Sequence, residues 1–184
     1  RYKGPVRVLS SFNDGNGTLI SLKDESMENA LISGIAFQKD QVKFTLHSVG
    51  DTPGTAFKIL GPISDAEIEV DVIVQNVSID DKTDFTFTVS NEDKESVEKI
   101  LTDLKTEVDH KEVIINSDIA KVSLVGAGMR SQTGVASKAF KALSENDVNI
   151  QIICTSEIKI TMVIDEALVD KAVNVLHEEF ELEK

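Results

Sequence analysis

The chain carries one pattern twice, as ISDAEIEVDVI at residues 63–73 and as LSENDVNIQII at residues 143–153. A second pair of segments matches in the same order, FTLHSVG at residues 44–50 and VSLVGAG at residues 122–128. The offset is 78 residues for the earlier pair and 80 for the later one, so we expect two extra residues in the loop after the first strand of the second copy. The sequence therefore predicts an internal duplication.

Within each copy the pattern predicts the order strand, glycine-containing loop, helix, strand, strand, helix. Thr83–Val89 alternates polar and apolar residues as a strand does, and either Ser90 or Asn91 is the expected N-cap of the helix that follows. Asp165–Leu176 is the matching last helix of the second copy. The first helix of the first copy contains Pro62, which removes one helical hydrogen bond, so we expect that helix to be bent or restarted there.

A βαββαβ order packs two helices on one side of an antiparallel sheet, which predicts an α+β fold of two ferredoxin-like units. The first copy finds its fourth strand in Glu112–Ile115, whereas the second copy ends near Phe180–Leu182 without one. We infer that Leu31–Phe37 supplies the missing strand, which would interlock the two units. The expected divisions are residues 1–29, residues 38–117 for the first unit, and residues 30–37 plus 118–184 for the second.

The first twenty residues form a separate predicted β-hairpin. Val6–Leu9 and Thr18–Ile20 are its strands, Asn13–Gly17 is its turn, and residues 21–29 are the expected linker. The chain starts at Arg1 without a methionine, so we expect it to be a fragment or a processed form of a longer protein.

Composition excludes several classes of function. Asp and Glu total 32 against 19 Lys and Arg, a net charge of -13 that repels nucleic acid and anionic membranes, so neither is an expected partner. Cys154 lies in an apolar strand pattern and is expected to be buried and inert, and a reducing, cytoplasmic location is expected. The three histidines, His47, His110 and His177, are too far apart to suggest a metal site. We expect no catalytic centre, metal or cofactor in this chain.

Four segments carry a family resemblance: SVGDTPG at residues 48–54, VQNVS at 74–78, KVSLVGAGM at 121–129 and TSEIKI at 155–160. With them, the chain resembles the paired ACT domains of aspartate kinase from Ala30 to Leu182, and the hairpin resembles the last strands of that family's kinase domain. The resemblance implies an enzyme that phosphorylates the β-carboxylate of aspartate, with ATP and magnesium held by a kinase domain upstream.

The same resemblance implies partners and a role. The chain would be the C-terminal part of the enzyme or a separate beta subunit, would act with the catalytic domain or alpha subunit, and would form a homodimer through its ACT domains. Its role would be feedback inhibition by a pathway end-product amino acid, threonine or lysine. The alternative is a scaffold that dimerises the kinase and binds no effector.

A strand-to-helix turn suits an amino-acid effector, because its unpaired N–H groups and helix dipole favour a carboxylate. Gly54 and Gly134 occupy such turns. Asp51 is placed to accept a hydrogen bond from an ammonium group, and Gln75 is placed to form a hydrogen bond with a side-chain hydroxyl group. With the family pattern, the first effector site comprises Asp51, Thr52, Pro53, Gly54, Thr55, Ala56 and Gln75, completed by Asn149 and Ile150 of a facing module.

A second candidate effector site follows from the pseudo-symmetry of the two copies. It comprises Met129, Arg130, Ser131, Gly134, Val135, Thr155 and Ser156, with Glu69 and Val70 from the facing module. Arg130 opposes an ammonium group, so the first site is expected to dominate. Gln75 is a neutral donor and acceptor that suits a hydroxyl group, which favours threonine as the effector. A lysine effector would require a second carboxylate in the site, such as that of Glu157.

Overall fold

The structure is a computed structural model that describes residues 6–12, 15–20, 32–76, 80–126 and 134–182. The elements are, in chain order, β1 Val6–Val8, β2 Thr18–Ile20, β3 Gly34–Gly50, α1 Thr55–Asp65, β4 Ile73–Gln75, β5 Lys82–Ser90, α2 Lys94–Asp103, β6 Glu112–Val125, α3 Val135–Glu145, β7 Ile152–Thr155, β8 Lys159–Asp165 and α4 Val169–Glu179. Short 3-10 turns precede α2 at Asn91–Asp93 and α4 at Glu166–Leu168, and follow α2 at Leu104–Thr106.

Six strands form one antiparallel sheet in the order β4-β5-β3-β6-β8-β7. Its two central strands, β3 and β6, are 17 and 14 residues long and pair along most of their length. The second half of β3 is the first strand of one module, and the second half of β6 is the first strand of the other. Each module takes its fourth strand from the first half of the other's long strand.

The predicted interlock is therefore present in the sheet. Gly34–Gln38 pairs with Lys121–Val125 of the second module, and Lys43–His47 pairs with Glu112–Asn116. The strand begins at Gly34, after Ile32 and Ser33, whereas Leu31 and the predicted linker at residues 21–29 lie outside the described residues. We keep the division into residues 1–29, 38–117, and 30–37 plus 118–184 as a proposal, which this pairing supports.

The continuity of β3 was not expected from the sequence, which predicted separate strands on either side of Gln38–Lys43. The chain stays in the sheet there by two register shifts, with Asp40 in the left-handed region at φ 57°. The N–H of Asp40 donates to Glu166 Oε2 at 2.8 Å, and Lys39 Nζ lies 3.3 Å from Asp170 Oδ1. Both contacts attach the irregular segment to the start of the last helix.

Each module has its own apolar core, because alternate residues of its strands face its two helices. In the first module Phe44 and Phe87 stack with their ring centroids 5.5 Å apart. The other buried members are Val42, Leu46, Val49, Ile59, Ile63, Phe85, Val89, Val97, Leu101, Leu104 and Val108. The second core contains Ile32, Ala120, Val122, Leu124, Val135, Ala139, Leu143, Val148, Ile160, Met162, Ile164, Val169, Ala172 and Leu176.

The opposite face of the sheet carries the same polar side-chain contact in both modules. Thr45 Oγ1 lies 3.0 Å from Thr86 Oγ1, and Ser123 Oγ lies 2.9 Å from Thr161 Oγ1. In each module this pair joins the first strand to the third. The duplication read in the sequence thus extends to side-chain contacts.

The structure tests two predictions about the helices, the N-cap before α2 and the effect of the proline in α1. Ser90 is the N-cap of the turn before α2, and its side chain accepts from the N–H of Glu92. Pro62 lies inside α1, which is not restarted there: it runs from Thr55 to Asp65 and buries Ile59 and Ile63 on either side of the proline.

One expectation was wrong. Cys154 is exposed, because β7 forms an edge of the sheet, and an apolar run on an edge strand is only partly covered.

The N-terminal hairpin is confirmed where the structure describes it, since β1 and β2 pair antiparallel from Val6 opposite Ile20 to Val8 opposite Thr18. Of its predicted turn, Asn13 and Asp14 lie outside the described residues. Within the described ranges, no helix has the length and apolar character needed to span a membrane.

Candidate effector site

The predicted strand-to-helix turn lies between β3 and α1, and its glycine is in a left-handed conformation that the sequence analysis did not specify. Gly54 is the N-cap of α1, with φ 95° and ψ -8°. A Cβ at this position would meet no atom within 4 Å, so the backbone conformation, rather than crowding, favours glycine. The first N–H groups of a helix have no partner within it and carry the positive end of the dipole, which suits a carboxylate.

Hydrogen bonds within the loop hold this turn in place. Thr55 Oγ1 donates to the carbonyl oxygen of Gly50 at 3.0 Å and lies 3.1 Å from Thr52 Oγ1. The N–H of Thr55 donates to the carbonyl oxygen of Thr52 at 3.1 Å. Thr55 is buried, so its hydroxyl group supports the loop, whereas Thr52, Pro53, Gly54 and Ala56 are exposed.

Asp51 and Gln75 are brought together, as predicted. Gln75 Nε2 donates to Asp51 Oδ1 at 3.3 Å, and both residues are exposed. The N–H of Asp51 donates to the carbonyl oxygen of Asp81 at 2.9 Å, which fixes the backbone of the loop. The pair places a carboxylate and an amide, which can accept and donate hydrogen bonds, beside the start of α1.

A further carboxylate, which the sequence analysis missed, shapes the end of β3. Asp84 Oδ1 accepts from the N–H of Ser48 at 2.8 Å and lies 2.6 Å from His47 Nδ1. Ser48 has a φ of 57°, where the register of β3 shifts between Leu46 and Val49. The hydrogen bond from Ser48, and then the nearby His47, lower the pKa of Asp84. The only sequence signal was an aspartate opposite a histidine in paired strands.

Asn149 and Ile150 do not join Asp51 within one chain. The next residue, Gln151, accepts a hydrogen bond from Lys43, and Asp51, just after the end of β3, is eight residues beyond Lys43. At ~3.3 Å per residue, that is roughly 25 Å. Asn149 is exposed, and Ile150 packs partly against the second core.

The second candidate site repeats the turn but is only partly described. Gly134 is the N-cap of α3 with φ 96° and ψ -7°, and Val135 is buried behind it. Thr155 and Ser156 are exposed at the end of β7, and the N–H of Ser156 donates to the carbonyl oxygen of Lys159 at 2.8 Å. Met129, Arg130 and Ser131 lie outside the described residues.

The segment proposed to face the second site belongs to the first module. Glu69 is exposed, and Val70 packs partly against the first core. No group of three or more His, Cys, Asp or Glu side chains that could hold a metal ion occurs in the part of the chain that the structure describes.

Two regions of the chain match the ACT domain family, residues 46–109 and residues 122–180. These are the two modules of the sheet, each with its pair of helices. The fold and the two matches define a tandem pair of ACT domains.

Longer similarities identify the protein family. An aspartate kinase from Pseudomonas fluorescens strain SBW25 is 55% identical over 184 residues, which are 100% of this chain and 45% of that protein. A crystal structure of aspartokinase alpha and beta subunits is 44% identical with a TM-score of 0.77, covering 82% of this chain and 99% of that one. E. coli aspartokinase III in complex with lysine and aspartate is 25% identical with a TM-score of 0.71, covering 96% of this chain and 39% of that one.

The chain belongs to the aspartokinase family and is the regulatory region of such an enzyme. It spans less than half of the length of the aspartate kinase from Pseudomonas fluorescens.

Proposed function

We propose that this region binds a pathway end-product amino acid, threonine or lysine, and inhibits aspartate phosphorylation by the kinase to which it belongs. The observation that carries the proposal is the Asp51–Gln75 pair next to the left-handed turn at Gly54. A zwitterionic amino acid needs an anion-binding and a cation-binding group a few ångströms apart. The helix N-terminus provides the first and the Asp51 carboxylate the second.

Threonine is our first choice of effector. Gln75 is neutral and can both donate to and accept from a hydroxyl group, whereas a lysine side chain would favour a second carboxylate such as Glu157. Lysine is the rival because E. coli aspartokinase III is known in complex with lysine and aspartate. The site beginning at Gly134 is proposed as a weaker or differently selective second site.

The chemistry of the parent enzyme belongs to residues outside this chain. We propose that an upstream kinase domain, or an alpha subunit, holds ATP and magnesium and phosphorylates the β-carboxylate of aspartate in the cytoplasm. The N-terminal hairpin then continues that kinase domain. Val8, Leu9 and Phe12 are exposed on the hairpin and its loop, and these apolar side chains are available for contact with the kinase domain.

The effector site is completed by a second copy of the chain. Within one chain, the residue after Ile150 contacts Lys43, which lies roughly 25 Å along the strand from Asp51, so Asn149 and Ile150 are expected to close the first site from a facing module. A ligand shared between two chains stabilises the dimer, because it binds the paired form and not the separate one. Effector binding and association are therefore expected to strengthen each other. A hundredfold shift of the kinase between its active and inhibited forms needs about 2.7 kcal/mol of such coupling.

Calorimetric titration with threonine, and separately with lysine, tests the proposal. At least one should give a saturable isotherm. Asp51→Ala and Gln75→Ala should weaken that binding by roughly 1 to 3 kcal/mol, the scale for losing a partner of a charged or buried polar group. Asp103→Ala, which removes an exposed carboxylate at the end of α2, is the matched control and should bind as the wild type does.

Unchanged affinity in both Asp51→Ala and Gln75→Ala would refute the assignment of the site. A dimer that binds neither amino acid would favour the scaffold function instead.

A further inference from the structure

Two lysines occupy equivalent positions on the long strands and reach in opposite directions between the modules. Lys43 Nζ, on β3, donates to Gln151 Oε1 at 2.6 Å. Lys121 Nζ, on β6, forms an ion pair with Asp71 Oδ2. Lys43 and Lys121 are 78 residues apart, and Asp71 and Gln151 are 80 apart, which are the two offsets of the duplication.

Both lysines lie on the face of the sheet opposite the helices. Each is flanked in sequence by core residues that face the helices, so its own side chain points the other way. The Lys121 side chain is only 5% exposed, and Lys43 is half-buried. Burial lowers the pKa of Lys43. Desolvated ammonium groups need partners at fixed positions, so these contacts restrict where Gln151 and Asp71 can lie.

The two partners immediately follow the segments that the proposed function assigns to the facing effector sites. Gln151 follows Asn149 and Ile150, and Asp71 follows Glu69 and Val70. Their backbones are held alike: the N–H of Gln151 donates to the carbonyl oxygen of Val163 at 2.8 Å, and that of Asp71 to Thr88 at 3.1 Å.

Each lysine also lies on the strand that leads to an effector loop. β3 carries Lys43 and ends just before Asp51, and β6 carries Lys121 and ends just before the loop that leads to Gly134. One side-chain contact therefore connects the strand that leads to the loop of one module with the facing segment of the other.

We propose that Lys43 and Lys121 are positioning residues, and that their crossed contacts with Gln151 and Asp71 couple each candidate effector site of one chain to the same site of the second chain, which the segment beside Gln151 or Asp71 completes. The proposal rests on the proposed function for the role of those sites. Because Gln151 is neutral and Asp71 is charged, the two connections are unequal. The contact of Lys121 is an ion pair, and the contact of Lys43 is a charged hydrogen bond to an amide.

Amide hydrogen exchange measured by NMR on the full chain, without any effector, tests the crossed contacts. The amides of Gln151 and Asp71 are matched reporters, since each donates to the third strand of its own module. Lys43→Met keeps an unbranched side chain that is one atom shorter and removes the charge. We expect it to speed exchange at Gln151 by about tenfold and to leave Asp71 unchanged.

Lys121→Met should do the reverse, speeding exchange at Asp71 and not at Gln151. Lys43→Arg retains a donor and should restore slow exchange at Gln151. Lys99→Met, which removes an exposed lysine from α2 on the other side of the sheet, should change neither reporter. Because Lys43 is only half-buried, Lys43→Met is expected to fold. It therefore tests the proposal even if Lys121→Met does not fold.

Equal changes at both reporters in Lys43→Met, or a change at neither, would overturn the proposal. Threonine and lysine titrations of the same variants then test the effect on binding. Lys43→Met should weaken the tighter of the two binding reactions by about fivefold, although Asp51 is intact, and Lys99→Met should leave it unchanged. If the wild-type chain bound neither amino acid, the proposed function would be refuted. The hydrogen-exchange result would still show whether each lysine restrains the segment of the other module that it contacts.

Discussion

Replacing Gly54 by alanine is expected to destabilise the protein through the backbone alone. A Cβ at Gly54 would meet nothing within 4 Å, so no clash contributes. The φ of 95° is a conformation that L-residues avoid, at roughly 1 to 2 kcal/mol. Alanine also lowers the conformational entropy of the unfolded chain, which stabilises the folded protein by ~0.4 to 1 kcal/mol and offsets part of this cost. The net loss is therefore about 1 kcal/mol.

Urea denaturation followed by circular dichroism measures this loss as a lower midpoint with an unchanged slope. Gly50→Ala is the matched control, because Gly50 ends β3 just before the same loop, also has open space at its Cβ, and does not have a positive φ. The control should be as stable as the wild type or gain up to about 1 kcal/mol, because the same restriction of the unfolded chain is not opposed by strain. Equal midpoints for Gly54→Ala and Gly50→Ala would refute the claim that the left-handed turn requires glycine.

Two other predictions concern the first module. Phe87→Ala should cost about 3 to 5 kcal/mol of unfolding free energy, because Phe87 is fully buried and stacks on Phe44, and a loss below about 1 kcal/mol in urea denaturation would contradict that core. The pKa of Asp84 is lower in the folded protein than the ordinary aspartate pKa of about 3.9. The ionised carboxylate therefore stabilises the fold above that pH, and this stabilisation is lost as the pH falls through the folded pKa. Asp84→Asn should therefore flatten the acid limb of a plot of stability against pH, and an unchanged limb would show that Asp84 does not stabilise the end of β3.

The duplication could be read from the sequence because both copies obey the same local rules. Alternating apolar residues mark the strands, and glycines mark turns that only they adopt easily. The absence of a fourth strand after α4 was enough to predict that the segment before the first copy supplies it. The proximity of Asp51 and Gln75 was also predictable, because both lie where parallel strands end, at the same end of the sheet.

What the sequence could not provide depends on tertiary contacts. Asp40 continues β3 in a left-handed conformation that its contact with Glu166 supports, and no local pattern shows this. Cys154 is exposed because β7 is an edge strand, which depends on strand order rather than on the apolar run. The crossed contacts of Lys43 and Lys121 join residues far apart in the chain, so spacing alone could not indicate them.

Sedimentation velocity with and without a saturating amino acid tests the central claim most directly. If the facing module of a second chain completes the first site, threonine or lysine should raise the dimer fraction at a fixed protein concentration, and Asp51→Ala should abolish that rise. The same monomer fraction with and without either amino acid would contradict the account.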